Sequence, residues 1–304
     1  MSPEIMQELQ RWHANGSDYA ECARLLLGKF GVEKSRSAVR HLLQRKAVKP
    51  ARKVDKPVPG RLDRRDDRPE PDNGRILILS DMHLPYAHPD LVAFLKAVNE
   101  KYDPTRVVCI GDEVDKHAMS FHDHDPDLKS PGDELKAAVK RLRPLYELFP
   151  VVDVIDSNHG SLAFRRAKHA GISRKYLRDY GDVLQAPEGW TWQHDLYVTL
   201  PGGNECYFHH GLTNDAMRVV QQRGVCVVQG HFHALFSIQY VGNPRALLWG
   251  MQVGCLIDKD SLAFAYDNAN LPRPVIGCGI IIDGHPKLLP MPLKRGGRWN
   301  GVVP

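Results

Sequence analysis

Apolar residues follow two rhythms along this chain. Between residues 3 and 46 they recur every three to four positions, the spacing of amphipathic helices. The pattern predicts a first helix over 3–14, with Pro3 at a favoured first-turn position, broken by Asn15-Gly16-Ser17. A second helix over 18–30 has Asp18 and Glu21 as a capping pair and Gly31 as its end, with Ala20, Ala23, Leu26 and Leu27 on one face. A third over 36–46 follows Ser35 or Ser37 as cap, with Val39, Leu42 and Leu43 inward. From residue 75 the rhythm changes. "RILILSD" (75–81), "RVVCIGD" (106–112) and "VVDVIDSNH" (151–159) are apolar runs ending in polar residues, which predicts buried strands. Helical patterns over 88–101, 132–148 and 161–180 alternate with them, the last interrupted near Gly171. Strand patterns then dominate, at 191–200, 204–210, 225–230, 234–241, 246–253 and 276–283, with one helix over about 213–223. Alternation first and mostly strands later predicts an α/β body with more than one sheet.

Residues 48–74 join the two regions. They read "VKPARKVDKPVPGRLDRRDDRPEPDNG", rich in proline and mixed charge and poor in apolar residues, so they build no core and read as a linker. Three parts are therefore expected: a helical head over 1–47, a linker over 48–74 and a body over 75–304.

Charge changes the picture of the head. Residues 1–75 hold 17 Lys and Arg against 11 Asp and Glu, whereas residues 76–304 hold 24 against 25. The whole net charge of +5 thus sits in the N-terminal quarter. Arg36, Arg40, Arg45 and Lys46 stand on the outer side of the third predicted helix, beside Lys34. A trihelical head with a basic last helix resembles a helix-turn-helix module, and the resemblance implies a nucleic-acid partner met by those four side chains. A protein-docking head, a stabilising extension and a solubilising basic arm are the competing readings.

The six cysteines, at 22, 109, 206, 226, 255 and 278, include no CxxC pair, which fits reduced thiols in a cytoplasm better than a disulfide framework. No apolar run approaches the roughly 18 residues of a membrane span. The polar start "MSPEIMQELQ" is unlike a signal peptide, so no membrane partner is expected. Oligomeric state is not legible.

The chemistry lies at the strand ends. The first delivers Asp81-Met82-His83, the second Gly111-Asp112 with Asp115 beyond, and the third Asn158-His159. The run ending at Phe208 delivers His209-His210-Gly211, and the run over 225–229 delivers Gly230-His231-Phe232-His233. Ligands of open α/β sheets sit outside the carboxyl ends of strands. A DxH or HxH spacing on extended chain puts both side chains on one side. Imidazole and carboxylate donors without thiolate suit Mn²⁺, Fe or Zn²⁺. His209 and His210 point opposite ways on a strand, so only one can join such a site.

In this order, DxH, GDxxD, NH, HG and GHxH resemble the motif series of the calcineurin-like metallophosphoesterases over residues 81–233. The resemblance implies a four-layer α/β/β/α sandwich of two mixed sheets, here preceded by the small all-α head. It implies two divalent metal ions, Mn²⁺ first among the choices, with Fe, Zn²⁺ or Ni²⁺ also compatible. Asp81, His83 and His233 would bind one ion, Asn158, His210 and His231 the other, and Asp112 would bridge them. The catalytic pair would be Asp112 and His159, with His159 as general acid or charge stabiliser. Hydrolysis would proceed by in-line attack of a metal-bridging hydroxide on a phosphoester. His210 is chosen over His209 because Gly211 follows it directly. Asp115 reads as a supporting acid. His117, His122 and His124 read as solvated loop residues, and Arg165 or Arg166 at the start of a helix as a phosphate contact.

One departure matters. The family usually has Gly-Asn-His followed by an acid; this chain has Ser157-Asn158-His159-Gly160. The orientation of His159 must then come from Asp115 or from a backbone carbonyl. The functional expectation is a metal-dependent phosphodiesterase acting on nucleic acid. The alternatives are a phosphomonoesterase or small-nucleotide phosphodiesterase whose head serves assembly, and a non-catalytic DNA-binding protein with a relic metal site.

Overall fold

A computed structural model of the protein describes residues 2–35, 38, 39, 43, 72–120, 127–261 and 273–304. The chain divides into two compact units, Met1–Asp67 and Arg68–Pro304.

In the first unit, helix α1 spans Pro3–Ala14, and the Ser2 hydroxyl accepts from the Ile5 N–H at its start. Helix α2 spans Tyr19–Phe30. The Asp18 carboxylate accepts from the N–H groups of Ala20 and Glu21, and Gly31 closes the helix at φ 65°. Leu9, Cys22, Leu26 and Val39 are buried together as its core. Leu27, expected on the inner face, is 53% exposed. The buried stripe runs through Cys22 and Leu26, four residues apart, and Leu27 lies one helical step off it. The Ser35 hydroxyl accepts from Ala38 N–H at 3.2 Å, as a cap for the third predicted helix. Arg36, Arg40, Arg45 and Lys46, and the linker up to residue 71, lie outside the described residues.

The second unit holds two mixed sheets. The first runs in the order β11-β10-β1-β2-β3-β4. Its strands are β1 (Arg75–Leu79), β2 (Arg106–Cys109), β3 (Val152–Ile155), β4 (Trp190–Gln193), β10 (Gly277–Ile282) and β11 (His285–Pro290). Strands β1 to β4 pair in parallel, and β10 and β11 are antiparallel additions. The second sheet runs β5-β6-β7-β9-β8. Its strands are β5 (Leu196–Thr199), β6 (Glu205–His209), β7 (Cys226–Gln229), β8 (Phe236–Gly242) and β9 (Leu247–Val253).

Alternation along the strands builds the layers. Ile76 and Ile78 of β1, with Val108 of β2 and Ile281 of β10, share one core with Phe208, Val228 and Met251 of the second sheet. The intervening Leu77, Leu79, Val107 and Cys109 face the other way. They meet Phe94, Leu95 and Val98 of α3 (Leu91–Tyr102) and Ala138, Leu142 and Leu145 of α4 (Pro131–Leu148). Helix α7 (Ala216–Arg223) lies on the outer face of the second sheet through Val219 and Val220. The result is a helix, sheet, sheet, helix sandwich.

Three details depart from the sequence pattern. The single strand expected over 191–200 is two: the chain breaks at His194-Asp195, leaving β4 in the first sheet and β5 in the second. The helix expected over 161–180 is α5 (Leu162–His169), a single 3₁₀ turn at Arg174–Tyr176 and the short α6 (Tyr180–Val183), with Gly171 at φ 72° after α5. Strand β11 was not anticipated; it pairs with β10 through the tight Asp283-Gly284 turn. Among the described residues no helix is long and apolar enough to cross a membrane. All six cysteines are free and buried.

Candidate metal centre

Five loops meet at the carboxyl ends of β1, β2, β3, β6 and β7. The first two run side by side: Asp81 N–H donates to Gly111 C=O, His83 N–H to Asp112 C=O, and Leu84 N–H to Glu113 C=O. This pairing carries the rows of β1 and β2 past their strand ends. Both DxH and GD segments leave extended geometry to do so. Asp81, His83, Asp112 and His231 have φ of 48°, 47°, 49° and 69°. Left-handed backbone at non-glycine residues is uncommon and costs free energy, and it gathers at functional sites. The common direction of Asp81 and His83 therefore comes from a kinked loop rather than from strand alternation.

Three groups of side chains form a contiguous cluster: Asp81, His83 and His233; His83, Asp112 and His159; Asp112, His210 and His231. Within each group one donor atom per residue lies within 4.8 Å of the others. His233 Nε2 is 3.3 Å from Asp81 Oδ1, His83 Nε2 is 3.5 Å from Asp112 Oδ2, and His210 Nε2 is 3.2 Å from the same Asp112 oxygen. Asn158 Oδ1 is 2.6 Å from His210 Nε2. The structure thus brings together Asp81, His83, Asp112, Asn158, His159, His210, His231 and His233.

Close packing shapes the floor. A Cβ at Gly230 would overlap the Ser80 hydroxyl and the Asp81 carboxylate. Gly111, at φ 98°, would place its Cβ 2.5 Å from Ser157 Cβ. His231 N–H reaches both Asp81 carboxylate oxygens, at 3.1 and 3.0 Å.

Burial and charge oppose each other here. Asp81 and Asp112 are almost wholly buried. Burial alone would push their carboxyls up. For Asp81, the hydrogen bond from His233 and the charge of His210 outweigh that effect and hold it below its ordinary value. For Asp112, the charge and hydrogen bond of His210, with His159 and His83 behind them, hold it well below. Burial would lower His83 and His210 in turn. The Asp115 hydrogen bond and the Asp112 charge raise His83 to about 9, and Asp112 raises His210 to about 9. Buried carboxylates that draw protons onto their neighbours are carboxylates short of positive charge. The oxygen and imidazole donors, their convergence and that demand for cations fit hard or borderline divalent metals.

Supporting residues hold the donors. Asp115 Oδ1 lies 2.6 Å from His83 Nδ1, a carboxylate behind an imidazole that would face a metal. The Asp115 carbonyl accepts a hydrogen bond from His159 Nδ1, which fixes that ring and leaves Nε2 as the nitrogen outside that bond. The orientation of His159 thus comes from a backbone carbonyl. Ser157 Oγ accepts from Asp112 N–H at 3.0 Å and from Gly160 N–H at 2.9 Å, so this side chain ties two loops together. His209 is buried beside Tyr207, and burial pushes its imidazole down to about 3. His210 Nδ1 is held by Ile110 C=O at 2.9 Å.

Sequence reasoning missed Lys116. It is 6% exposed, and its ammonium donates to the carbonyls of His159 and Gly160 at 2.9 and 2.8 Å. The ammonium also lies 3.9 Å from the Tyr180 ring centre, and burial lowers it to about 8. The buried Glu134 carboxylate accepts from His117 and Ala118 N–H. An acid-rich loop followed by a lone lysine was the only hint of this support. His117, expected as a solvated loop residue, is largely buried: its side chain is 13% exposed, with Nδ1 4.0 Å from Asp115 Oδ2. His122 and His124 lie outside the described residues. Arg165 donates to Asn158 C=O at 2.9 Å and Arg166 to Met119 C=O at 2.9 Å, so both guanidiniums grip loops at the rim of the cluster.

No protein-family model and no curated protein matches the chain. Solved structures similar to it include vacuolar protein sorting 29 from Cryptosporidium parvum, 13% identical with TM-score 0.41, covering 76% of this chain and 94% of that one. Vps29 from Chaetomium thermophilum is 10% identical with TM-score 0.38, covering 76% and 95%. The phosphoesterase YfcE from E. coli is 14% identical with TM-score 0.33, covering 68% and 87%. At these values the likeness speaks to neither the family nor the activity of this chain.

Proposed function

We propose that this protein is a two-metal phosphoesterase that hydrolyses phosphodiester bonds, with nucleic acid as its substrate. The observation that carries the reading is the place of Asp112, shared between a group on the His83 side and a group on the His210 side. On this reading Asp81, His83 and His233 would hold one divalent ion, Asn158, His210 and His231 would hold a second, and Asp112, which belongs to both sides of the cluster, would serve both. Divalent ions held there would supply the positive charge that polarises a phosphoryl group and acidifies water. Mn²⁺ is the first ion to test.

The chain's own contribution is positional. The Asp115 carbonyl fixes His159 Nδ1, so Nε2 is the atom available to the departing alkoxide. Burial lowers His159 below its ordinary value. An arriving phosphate anion opposes that shift, because a nearby negative charge favours the imidazolium. His159 then donates from Nε2 to the leaving oxygen or to a phosphate oxygen. Lys116 holds the His159-Gly160 carbonyls from behind, and Ser157 ties the same loop to Asp112.

The nucleic-acid part rests on the excess of basic residues in the N-terminal quarter and on the helix-turn-helix-like order of the head. A tethered head that binds the polymer raises its concentration at the body. A cytoplasmic enzyme fits its reduced cysteines.

The test is hydrolysis of end-labelled single- and double-stranded DNA with Mn²⁺, beside a small phosphodiester and a phosphomonoester, with Asp112→Asn as the blank. DNA and diester cleavage by the wild type alone is expected. Replacing Arg36, Arg40, Arg45 and Lys46 by alanine should weaken DNA cleavage and spare the small diester. Faster turnover of the monoester than of either diester would move the substrate away from nucleic acid.

A further inference from the structure

The segment that follows His159 is unlike the rest of the body. Residues 161–178 read "SLAFRRAKHAGISRKYLR": six Lys and Arg, and no acid. The remainder of the body from residue 76 is net negative, so this concentration of positive charge is local. Arg165, Arg166, Lys168, Arg174, Lys175 and Arg178 are all exposed. Two aromatic rings stand among them. Tyr176 is 84% exposed, and Phe164, 37% exposed, lies under the Arg174 guanidinium at 5.5 Å.

The segment is anchored at the metal centre. Ser161 Oγ donates to Asn158 C=O at 3.2 Å, Leu162 N–H to His159 C=O at 3.1 Å, and Arg165 to Asn158 C=O. From that anchor α5 rises about 12 Å over its eight residues. The 3₁₀ turn at Arg174–Tyr176 then places Arg174, Lys175 and Tyr176 in succession, all three exposed.

We infer that residues 161–178 form a binding surface for single-stranded nucleic acid that leads the phosphodiester chain to the metal centre. The inference deepens the function proposed above and rests on it for the destination of the strand. The chemistry favours that ligand. Cations in series track a chain of phosphates, and an open aromatic face among them stacks an unpaired base. An acidic peptide would use the cations but has no call on the exposed Tyr176 ring. A membrane surface would need a contiguous apolar face, whereas Phe164, Ile172 and Tyr176 are separated by charged or polar residues.

The test uses the full chain and fluorescence anisotropy with labelled single-stranded DNA, single-stranded RNA and duplex DNA, beside vesicles containing phosphatidylserine. Three variants are compared with wild type: the triple Arg174→Ala, Lys175→Ala, Arg178→Ala; Tyr176→Ala; and Tyr176→Phe. The triple variant should bind single strands roughly tenfold or more weakly, and its slope of log affinity against log salt should be shallower by about 2. Tyr176→Ala should lose about fivefold or more, and Tyr176→Phe should keep the affinity. All three should hydrolyse a small phosphodiester as the wild type does. Equal binding of DNA and RNA strands marks a surface that reads phosphates and bases alone, and a preference for one names the natural strand. Unchanged affinity in the triple variant overturns the inference, as do equal losses from Tyr176→Ala and Tyr176→Phe, or binding to vesicles in place of oligonucleotides. Retained strand binding without any ester hydrolysis would instead remove the phosphoesterase reading and leave the surface standing.

Discussion

The Asp115 carboxylate lies 2.6 Å from Nδ1 of His83, while its backbone carbonyl holds Nδ1 of His159. One residue thus orients a proposed metal ligand with its side chain and the proposed catalytic histidine with its main chain. Asp115→Ala should remove the first function and keep the second. Metal affinity is expected to fall about 10- to 100-fold, as for other carboxylates behind a ligating histidine. Titration with Mn²⁺ in a metal buffer measures it. Affinity equal to wild type would show that His83 is oriented without Asp115.

Lys116 is the second supporting residue open to test. Its ammonium is buried on two carbonyls of the His159 loop and faces the buried Glu113. Lys116→Met keeps the volume and deletes the charge, leaving Glu113 and both carbonyls short of a partner. The expected cost is about 3 kcal/mol of folding stability, the scale for breaking a buried charged contact. Urea unfolding measures it, and a loss below about 1 kcal/mol would mean that water takes the place of the ammonium.

Stability should also depend on pH through Asp90, at the start of α3. The Asp90 carboxylate accepts from Arg298 Nε at 2.7 Å and from Trp299 N–H at 2.9 Å, joining the C-terminal segment to the helix start. The hydrogen bond from Arg298 is the chief reason that the Asp90 carboxyl is held down to about 2. In the unfolded chain an aspartate titrates near 3.9. A carboxyl depressed by folding contributes stability above its unfolded value and loses it as pH falls toward its folded value. The contribution should be full above about pH 4 and fade toward pH 2. Because Arg298 is largely exposed, about 1 kcal/mol is expected. Asp90→Asn should lower stability at pH 7 and flatten the acid limb between those values; an unchanged acid limb would contradict the assignment.

Much of the candidate site is legible in the sequence because its donors follow apolar runs. Asp81, Asp112, Asn158, His210 and His231 each stand one to three residues after a strand, and the parallel order of β1, β2 and β3 gathers the first three at one sheet edge. Other features leave little or no local mark. The left-handed backbone at Asp81, His83, Asp112 and His231 leaves only a weak mark, because aspartate and histidine favour it among non-glycine residues yet adopt it in few places. Lys116 reads as a solvated charge, since burial of a lysine depends on distant carbonyls. The passage from β4 to β5 occurs at His194-Asp195 with neither glycine nor proline to announce it. Strand β11 was hidden by Pro286 and Pro290, which an edge strand tolerates. The Asp283-Gly284 pair between two apolar runs was the signal that could have revealed it.

On the proposed function, Asp112 and the donors around it hold metal and hydrolyse a phosphodiester. The most direct measurement is the rate of hydrolysis of a small chromogenic phosphodiester by the full chain with Mn²⁺, compared with Asp112→Asn of matching circular dichroism. Wild type should turn over the diester, stop with a chelator and recover with Mn²⁺, while Asp112→Asn stays at background. A folded, Mn²⁺-supplied wild type that leaves the diester intact, or an Asp112→Asn variant that cleaves it as fast, would rule out a metal-dependent phosphodiesterase centred on Asp112.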